Sequence, residues 1–434
     1  MCLNRAEPSA GERRGASQPA PATPRLGLRA PAAVSPGAGP RYPPGSGRAA
    51  ADEVDRDVPG AVSRVLEQVL GERVAQATAV DATFGRDVAE RVERFTLLGG
   101  KRLRSQFLWW GMRFCAGESD VSDVDAALRV ACALELVQTC ALVHDDVMDG
   151  SALRRGRPAV HTDFAAQYAT APASALGVPF GKAAAVLTGD LALAWADDAI
   201  ADTVLAADVQ VRVRQVWRDL RTEMVGGQYL DLHGQITDSR SMARALRVAC
   251  LKSALYTVER PLALGAALAG ADQATVRTLC AAGRCAGIAF QLRDDLLSVF
   301  GDPEYTGKPA GEDVRQGKLT YLVAVARARA DAEGDSAALS LLDEALGDAS
   351  LSESGLASVR SVLVATGAVE TVEKKIDSLV SHSGRCLAAA GGEYTVRRRL
   401  GALFRAVSGP PTEVVGAGPS AMPLSSAAVQ GSSR

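Results

Sequence analysis

The sequence predicts an all-α protein, on three observations. Apolar residues recur at helical spacing through most of the chain, alternating β-branched runs that would mark strands are missing, and Gly and Pro punctuate the helical stretches. In order, the expected helices cover 58–80, 83–98, 102–115, 122–149, 182–203, 208–231, 240–269, 272–300, 317–331, 335–347, 354–366, 368–389 and 393–407. The breaks fall at 99–100, 156–158, 171–181 and 301–311. A chain of 434 residues exceeds one average domain, but helical proteins of roughly 300 residues or more can share one core. No short internal repeat accounts for the spacing, so one helical domain is expected over 57–408.

The flanks read differently. Residues 1–50 are rich in Pro, Ala, Gly and Arg, with too few large apolar side chains to offset chain entropy. A disordered arm is expected over 1–56 and a loose tail over 409–434. Prolines and glycines in the arm break the amphipathic pattern of a transit peptide, and the apolar core of a secretory signal is absent. The first fifty residues hold seven Arg and two Glu, giving +5, so the remainder carries −7 of the net −2. An acidic body argues against nucleic acid as the main partner. It leaves an anionic substrate open, because a bound metal inverts the local field. No run reaches the roughly 18–20 uninterrupted apolar residues of a membrane span, and a soluble, cytoplasmic protein is expected. The eight cysteines contain no C-x-x-C pair and lie mostly in apolar helical runs. Buried free thiols explain them better than disulfides or zinc.

The rest of the chain is organised around His144 to His161, read H-D-D-V-M-D-G-S-A-L-R-R-G-R-P-A-V-H. It ends a long apolar helix on which Asp145 and Asp149 share a face, while Asp146 stands about 100° round. Three carboxylates this close repel one another unless a cation sits among them. Mg2+ takes such oxygens, usually one or two per ion, and leaves its other positions to water and phosphate. Arg154, Arg155 and Arg157 follow with planar forks suited to phosphate oxygens. The structural alternative is a solvated helix end with capping aspartates and a salt-bridged loop.

Two further stretches carry the same chemistry. Gly99-Gly100-Lys101-Arg102-Leu103-Arg104 is expected to open a helix with Lys101 and Arg104 on one face, a plausible anion site; a basic surface turn is the plainer reading. Phe290-Gln291-Leu292-Arg293-Asp294-Asp295 leads to Ser298 and Asp302, so that Asp294, Ser298 and Asp302 would form a stripe of oxygens if the helix extends that far. Downstream, Gly307-Lys308 and Gly317-Lys318 place two lysines beside those acids.

Together G-G-K-R-L-R, H-D-D-V-M-D with R-R-G-R-P, G-G-Q-Y-L-D at 226–231, Lys252-Ser253, F-Q-L-R-D-D, T-G-K-P and G-K-L-T resemble the trans-isoprenyl diphosphate synthases, in that family's order over about 58–405. The resemblance is strongest to geranylgeranyl diphosphate synthases. It implies an isoprenoid-synthase-type helical bundle around a central cavity, with two aspartate-rich helices facing across its mouth. It implies that Asp145, Asp146 and Asp149 hold Mg2+ against an allylic diphosphate, helped by Arg154, Lys252 and the adjacent Ser253. Asp294 would hold a further ion, with Asp295 close by, and three ions per site are expected. Lys308 and Lys318 would bind the leaving diphosphate. Lys101, Arg104, Arg155 and Gln138 would grip isopentenyl diphosphate, Gln138 standing where many relatives have His. Gln228, Asp231 and Gln291 would be polar supports. Homodimers are common in the family.

The second motif departs from D-D-x-x-D at Ser298, a weaker Mg2+ ligand than a carboxylate. D-D-L-L-S-V-F-G-D also approximates the metal motif of terpene cyclases, which keeps a cyclase open, as it does a weakly active subunit of a heteromeric synthase. Product length in this family is set beneath the first motif. Ala141 lies about one turn, roughly 5.4 Å, below Asp145, and Cys140 precedes it. Neither is a bulky aromatic, which favours the twenty-carbon geranylgeranyl product over farnesyl or longer ones unless Phe164, Trp195 or another side chain closes the floor.

Overall fold

Several helix starts in this chain are set by short polar side chains that accept from otherwise unpartnered backbone N–H groups. Asp57 accepts from Gly60 N, Asp123 from Ala126 N, Asp272 from Ala274 N and Thr275 N, Asp335 from Ala338 N and Ser352 from Gly355 N. The computed structural model describes residues 47–117, 123–170, 177–237, 241–302, 309–410 and 412, all within one compact unit, 41–434.

The first half comprises α1 (Gly47–Arg56), α2 (Val58–Val80), α3 (Ala82–Phe84), a π turn (Gly85–Ala89), α4 (Glu90–Leu97), α5 (Leu103–Ala116) and α6 (Val124–Asp149). A minimal antiparallel pair follows, β1 (Leu153–Arg154) with β2 (Arg157–Pro158), then α7 (Val160–Gln167), α8 (Phe180–Asp202) and α9 (Ala207–Ile236). Next, α10 (Met242–Val248) runs through a π-helical stretch (Ala249–Glu259) into α11 (Arg260–Leu268) and on to α12 (Gln273–Phe300). The chain ends with α13 (Glu312–Arg315), α14 (Tyr321–Glu333), α15 (Ser336–Ala345), α16 (Glu353–Ala365), α17 (Ala368–Ala389) and α18 (Tyr394–Ser408).

Helix α6 is the axis. Val130, Leu134, Leu136 and Val137 are fully buried, and α2, α4, α5 and α8 pack around it. It is also long and apolar enough to cross a membrane, but 78% of its most apolar window is buried inside the protein, as in a core helix. A second cluster, built from Leu292, Leu296, Leu322, Leu356 and Ile376, joins α12 to α14, α16 and α17. Small residues set the closest crossing: a Cβ on Gly265 of α11 would lie 2.1 Å from the Leu108 carbonyl oxygen of α5. Only a bare backbone fits there.

Three expectations are corrected. The arm does not stay irregular to residue 56: Ala50, Ala51 and Val54 are buried along α1, and Asp55 accepts from the Trp109 indole N–H (2.7 Å) and from Arg113 (3.0 Å). Composition averaged over the whole arm hid this short amphipathic turn. Helix α7 was not foreseen, because its eight residues show too little period. The helix after Gly100 begins at Leu103, with Arg102 in left-handed backbone before it, so Lys101 precedes the helix and shares no face with Arg104. All seven described cysteines are free.

Asp55→Ala strands the buried Trp109 N–H, which costs about 1–3 kcal/mol; a lower urea midpoint is the expected result. Gly265→Val is expected to lower stability further by forcing α5 and α11 apart, and an unchanged midpoint would contradict the close crossing.

Candidate active site

The first acidic motif closes α6, where Gly150 takes the left-handed conformation that ends the helix. The 100° offset between neighbours separates its carboxylates. Asp146 is fully buried and accepts from Arg154 Nε at 2.9 Å and from a second nitrogen of the same guanidinium. That guanidinium also stands 3.5 Å from Asp145. Arg154 is thus built into the wall, behind the other two carboxylates.

Asp145 and Asp149 each meet a lysine. Lys252 Nζ lies 3.0 Å from Asp145 and 2.8 Å from Asp231 of α9. It can do so because the π-helical stretch presses against α9 at Gly227, where a Cβ would lie 2.4 Å from Lys252 N. Ser253 sits half-buried beside it, and Gln228 reaches Met148 Sδ at 3.7 Å. Lys318 Nζ lies 2.6 Å from Asp149 and 3.6 Å from Asp313. Burial opposes ionisation of Asp145, but the charges of Lys252, Lys318 and Arg154 prevail and hold it down at about 2. Asp149 moves the other way, pushed up by burial and by Asp145 despite Lys318. Both lysines stay charged, because carboxylates outweigh their burial.

The second acidic motif ends α12. Asp294 is exposed, while Asp295 turns inward and accepts from Gln291 Nε2 at 2.8 Å. Burial pushes the Asp295 carboxyl well above the usual range against that hydrogen bond, and Asp313 and Asp294 add to it. Asp295 and Gln291 therefore support the helix end from within. The expected oxygen stripe is cut short: α12 stops at Phe300, so Asp302 lies beyond it. The Ser298 carbonyl accepts from Gly311 N at 2.7 Å, and Ser151 beyond α6 donates to Glu312 at 3.0 Å. The 311–318 segment thus ties the two aspartate-rich helix ends together. Lys308 lies outside the described residues.

A cationic group adjoins the first motif. Arg104 donates to Thr257 Oγ1 (2.9 Å) and stacks on Tyr256 (4.2 Å), and Tyr256 donates to Gln138 Oε1 at 2.6 Å. Arg155 donates to the Leu98 carbonyl at 3.1 Å. Its guanidinium is lowered first by burial, then by Arg154, Arg102 and Arg104. Lys101 is exposed at the rim. Arginines crowd this way where an anion is to be received. Beside Asp231 a cavity of about 30 Å³ is lined by Arg244, Val248 and Leu319; that holds a water or two, so it is not the hollow for a prenyl chain.

A model of the polyprenyl synthetase family matches residues 86–359. The chain belongs to the polyprenyl synthetase family. Its structure resembles that of a geranylgeranyl pyrophosphate synthase from Corynebacterium glutamicum, crystallised with isoprenyl diphosphate and magnesium. The TM-score is 0.74 at 37% identity, covering 80% of this chain and 98% of that one. In sequence it is 32% identical over 281 residues to the geranylfarnesyl diphosphate synthase of Aeropyrum pernix, across 64% of this chain and 79% of the relative. It is 36% identical over 252 residues to the geranylgeranyl diphosphate synthase of Mycobacterium tuberculosis, across 57% and 65%. This polyprenyl synthetase is therefore an all-α prenyltransferase, a trans-prenyl diphosphate synthase of isoprenoid biosynthesis in a magnesium-using family. Relatives with different product names match at similar identity, so membership does not fix the product length.

Just before the first motif on α6, Cys140 is buried, its thiol pushed up to about 12 by burial and Asp190, and its Sγ lies 3.6 Å from His144 Nδ1. A Cβ on Gly189 would sit 2.2 Å from His144 Nε2, so α8 closes directly on α6 at this level. Ala141 is half-buried. Phe164 packs instead with Val143, Val160 and Ala184 in a separate cluster, under Arg91. Sequence reasoning missed Tyr256, Thr257 and Glu135. Glu135 alone had a signal, a single acid in an apolar helix.

Gly227→Val is expected to push the lysine-bearing stretch off α9, because its side chain would strike the Lys252 backbone. Turnover should fall about tenfold or more with α-helical circular dichroism retained; full activity would show that this contact does not place Lys252.

Proposed function

We propose that this protein condenses isopentenyl diphosphate with an allylic diphosphate, dimethylallyl, geranyl or farnesyl, to give geranylgeranyl diphosphate. The observation that carries the reading is the meeting of Lys252 and Lys318 with the Asp145 and Asp149 carboxylates, beside the arginine group. Among the described residues no three His, Cys, Asp or Glu gather closely enough to hold an ion by themselves. The donor set is all hard oxygen, however, and Mg2+ habitually completes its shell with water and substrate phosphate. The residues present fit it on those terms, with Asp145, Asp149 and Asp294 as the ligands and three ions per site the expected number. When bound, Mg2+ supplies Lewis-acid neutralisation of the diphosphate charge.

The chain's own groups do the rest. Lys252 and Lys318 face the departing diphosphate, favouring cleavage of the allylic carbon–oxygen bond with both electrons leaving on oxygen. Arg104, Arg155, Lys101 and Gln138 hold the second diphosphate so that the double bond of isopentenyl diphosphate lies against the allylic cation. A carbon–carbon bond forms, one proton leaves to the released diphosphate, and charge balances. Tyr256 fixes Gln138 while its ring supports Arg104.

Purified protein given Mg2+, labelled isopentenyl diphosphate and each allylic diphosphate should yield a twenty-carbon alcohol after dephosphorylation. A cyclic hydrocarbon from an allylic substrate alone, or activity only after adding a second polypeptide, would reject the reading. Asp145→Ala should cut kcat by at least about 100-fold with α-helical circular dichroism retained. Ala141→Phe should shorten the product, and an unchanged product would put the floor elsewhere.

A further inference from the structure

Among the described residues, two that are not glycine adopt left-handed backbone: Arg102 (φ 49°) and Arg155 (φ 55°). Such positions are strained for residues that carry a side chain and persist only where surroundings impose them. They lie on different loops, yet both grip one short segment. Arg102 donates to the Leu97 carbonyl and Arg155 to the Leu98 carbonyl, each at 3.1 Å. Two strained arginines therefore clamp the end of α4, just before Lys101.

Arg102 in turn is held from behind. Its guanidinium donates to Glu135 of α6 at 3.0 Å, with the arginine 5% and the glutamate 7% exposed. Ser105 Oγ donates to the other carboxylate oxygen at 2.7 Å. The guanidinium also needs the bare backbone of Gly99, where a Cβ would lie 2.2 Å from Arg102 Nη1. Arg104, two residues on, keeps a buried Nε without a partner. Arg154, Arg102 and Arg104 all stand near enough to act on the charge of Arg155, and Glu135 is a buried carboxylate that opposes them. Like charges splay apart unless a counter-ion holds them.

We propose that the Glu135–Arg102 ion pair positions the cationic cradle for the homoallylic diphosphate, making both residues positioning and specificity determinants that act through Lys101, Arg104 and Arg155. This rests on the prenyl-transfer reading above. It separates the two substrates: the allylic diphosphate meets Lys252, Lys318 and the aspartates, none of which touches this pair.

Glu135→Gln keeps the size and the acceptor for Ser105 but removes the charge. KM for isopentenyl diphosphate should rise about tenfold or more, the effect of losing a charged hydrogen bond, while KM for the allylic substrate and kcat stay within about threefold. Gly99→Ala is the second variant, since its methyl displaces the Arg102 guanidinium and leaves Glu135 intact; the same split is expected. Calorimetric binding of isopentenyl diphosphate alone should weaken by the same factor, and the double variant should add little, because both act on one pair. Both KM values rising together, or a lower thermal midpoint with the KM ratio unchanged, would reduce the pair to fold support and overturn the proposal. Wild-type protein that leaves isopentenyl diphosphate unconsumed would instead reject the function itself, before any variant is made.

Discussion

The polar end of this bundle depends on two shared ammonium groups. Lys252 lies between Asp145 of α6 and Asp231 of α9, and Lys318 between Asp149 of α6 and Asp313 of α13. Carboxylates buried to this degree cannot all ionise together unless opposite charge is supplied. Each lysine supplies it to two elements at once, so the same contacts that make the acids tolerable also fix the distance between helices. The site and the packing around it are therefore one electrostatic arrangement.

The π-helical stretch from Ala249 to Glu259 distributes its residues over both halves of that arrangement. Lys252 serves the acidic half, while Tyr256 and Thr257 support Arg104 in the basic half. Local π geometry recurs at functional sites because it re-aims side chains that a regular helix would send elsewhere. Here it lets one helix serve both the acidic and the basic half of the site. Its last residue, Glu259, is buried and paired with Arg284 of α12 at 2.6 Å, which anchors the far end of the stretch.

The second acidic motif is asymmetric. Asp294 is exposed, Asp295 is enclosed, and the place of a third carboxylate is taken by Ser298, whose backbone is bound to Gly311. The opposing wall is completed by the segment that carries Glu312, Asp313 and Lys318. Charge at this end of the bundle is divided between a helix end and the loop that folds back over it.

Residue identity by itself determined the helical class, the main helix positions and the two aspartate clusters, because apolar period and carboxylate spacing are local properties of the chain. Helix α2, expected at 58–80, forms at Val58–Val80, and 368–389 likewise at Ala368–Ala389. Only tertiary structure decided which aspartate is exposed, that Arg154 serves Asp146, that α1 docks against Trp109, and that Arg102, in left-handed backbone, pairs with a glutamate thirty-three residues away in sequence. Those outcomes depend on groups brought together from distant parts of the chain, whose burial and mutual charge do not exist until the helices pack.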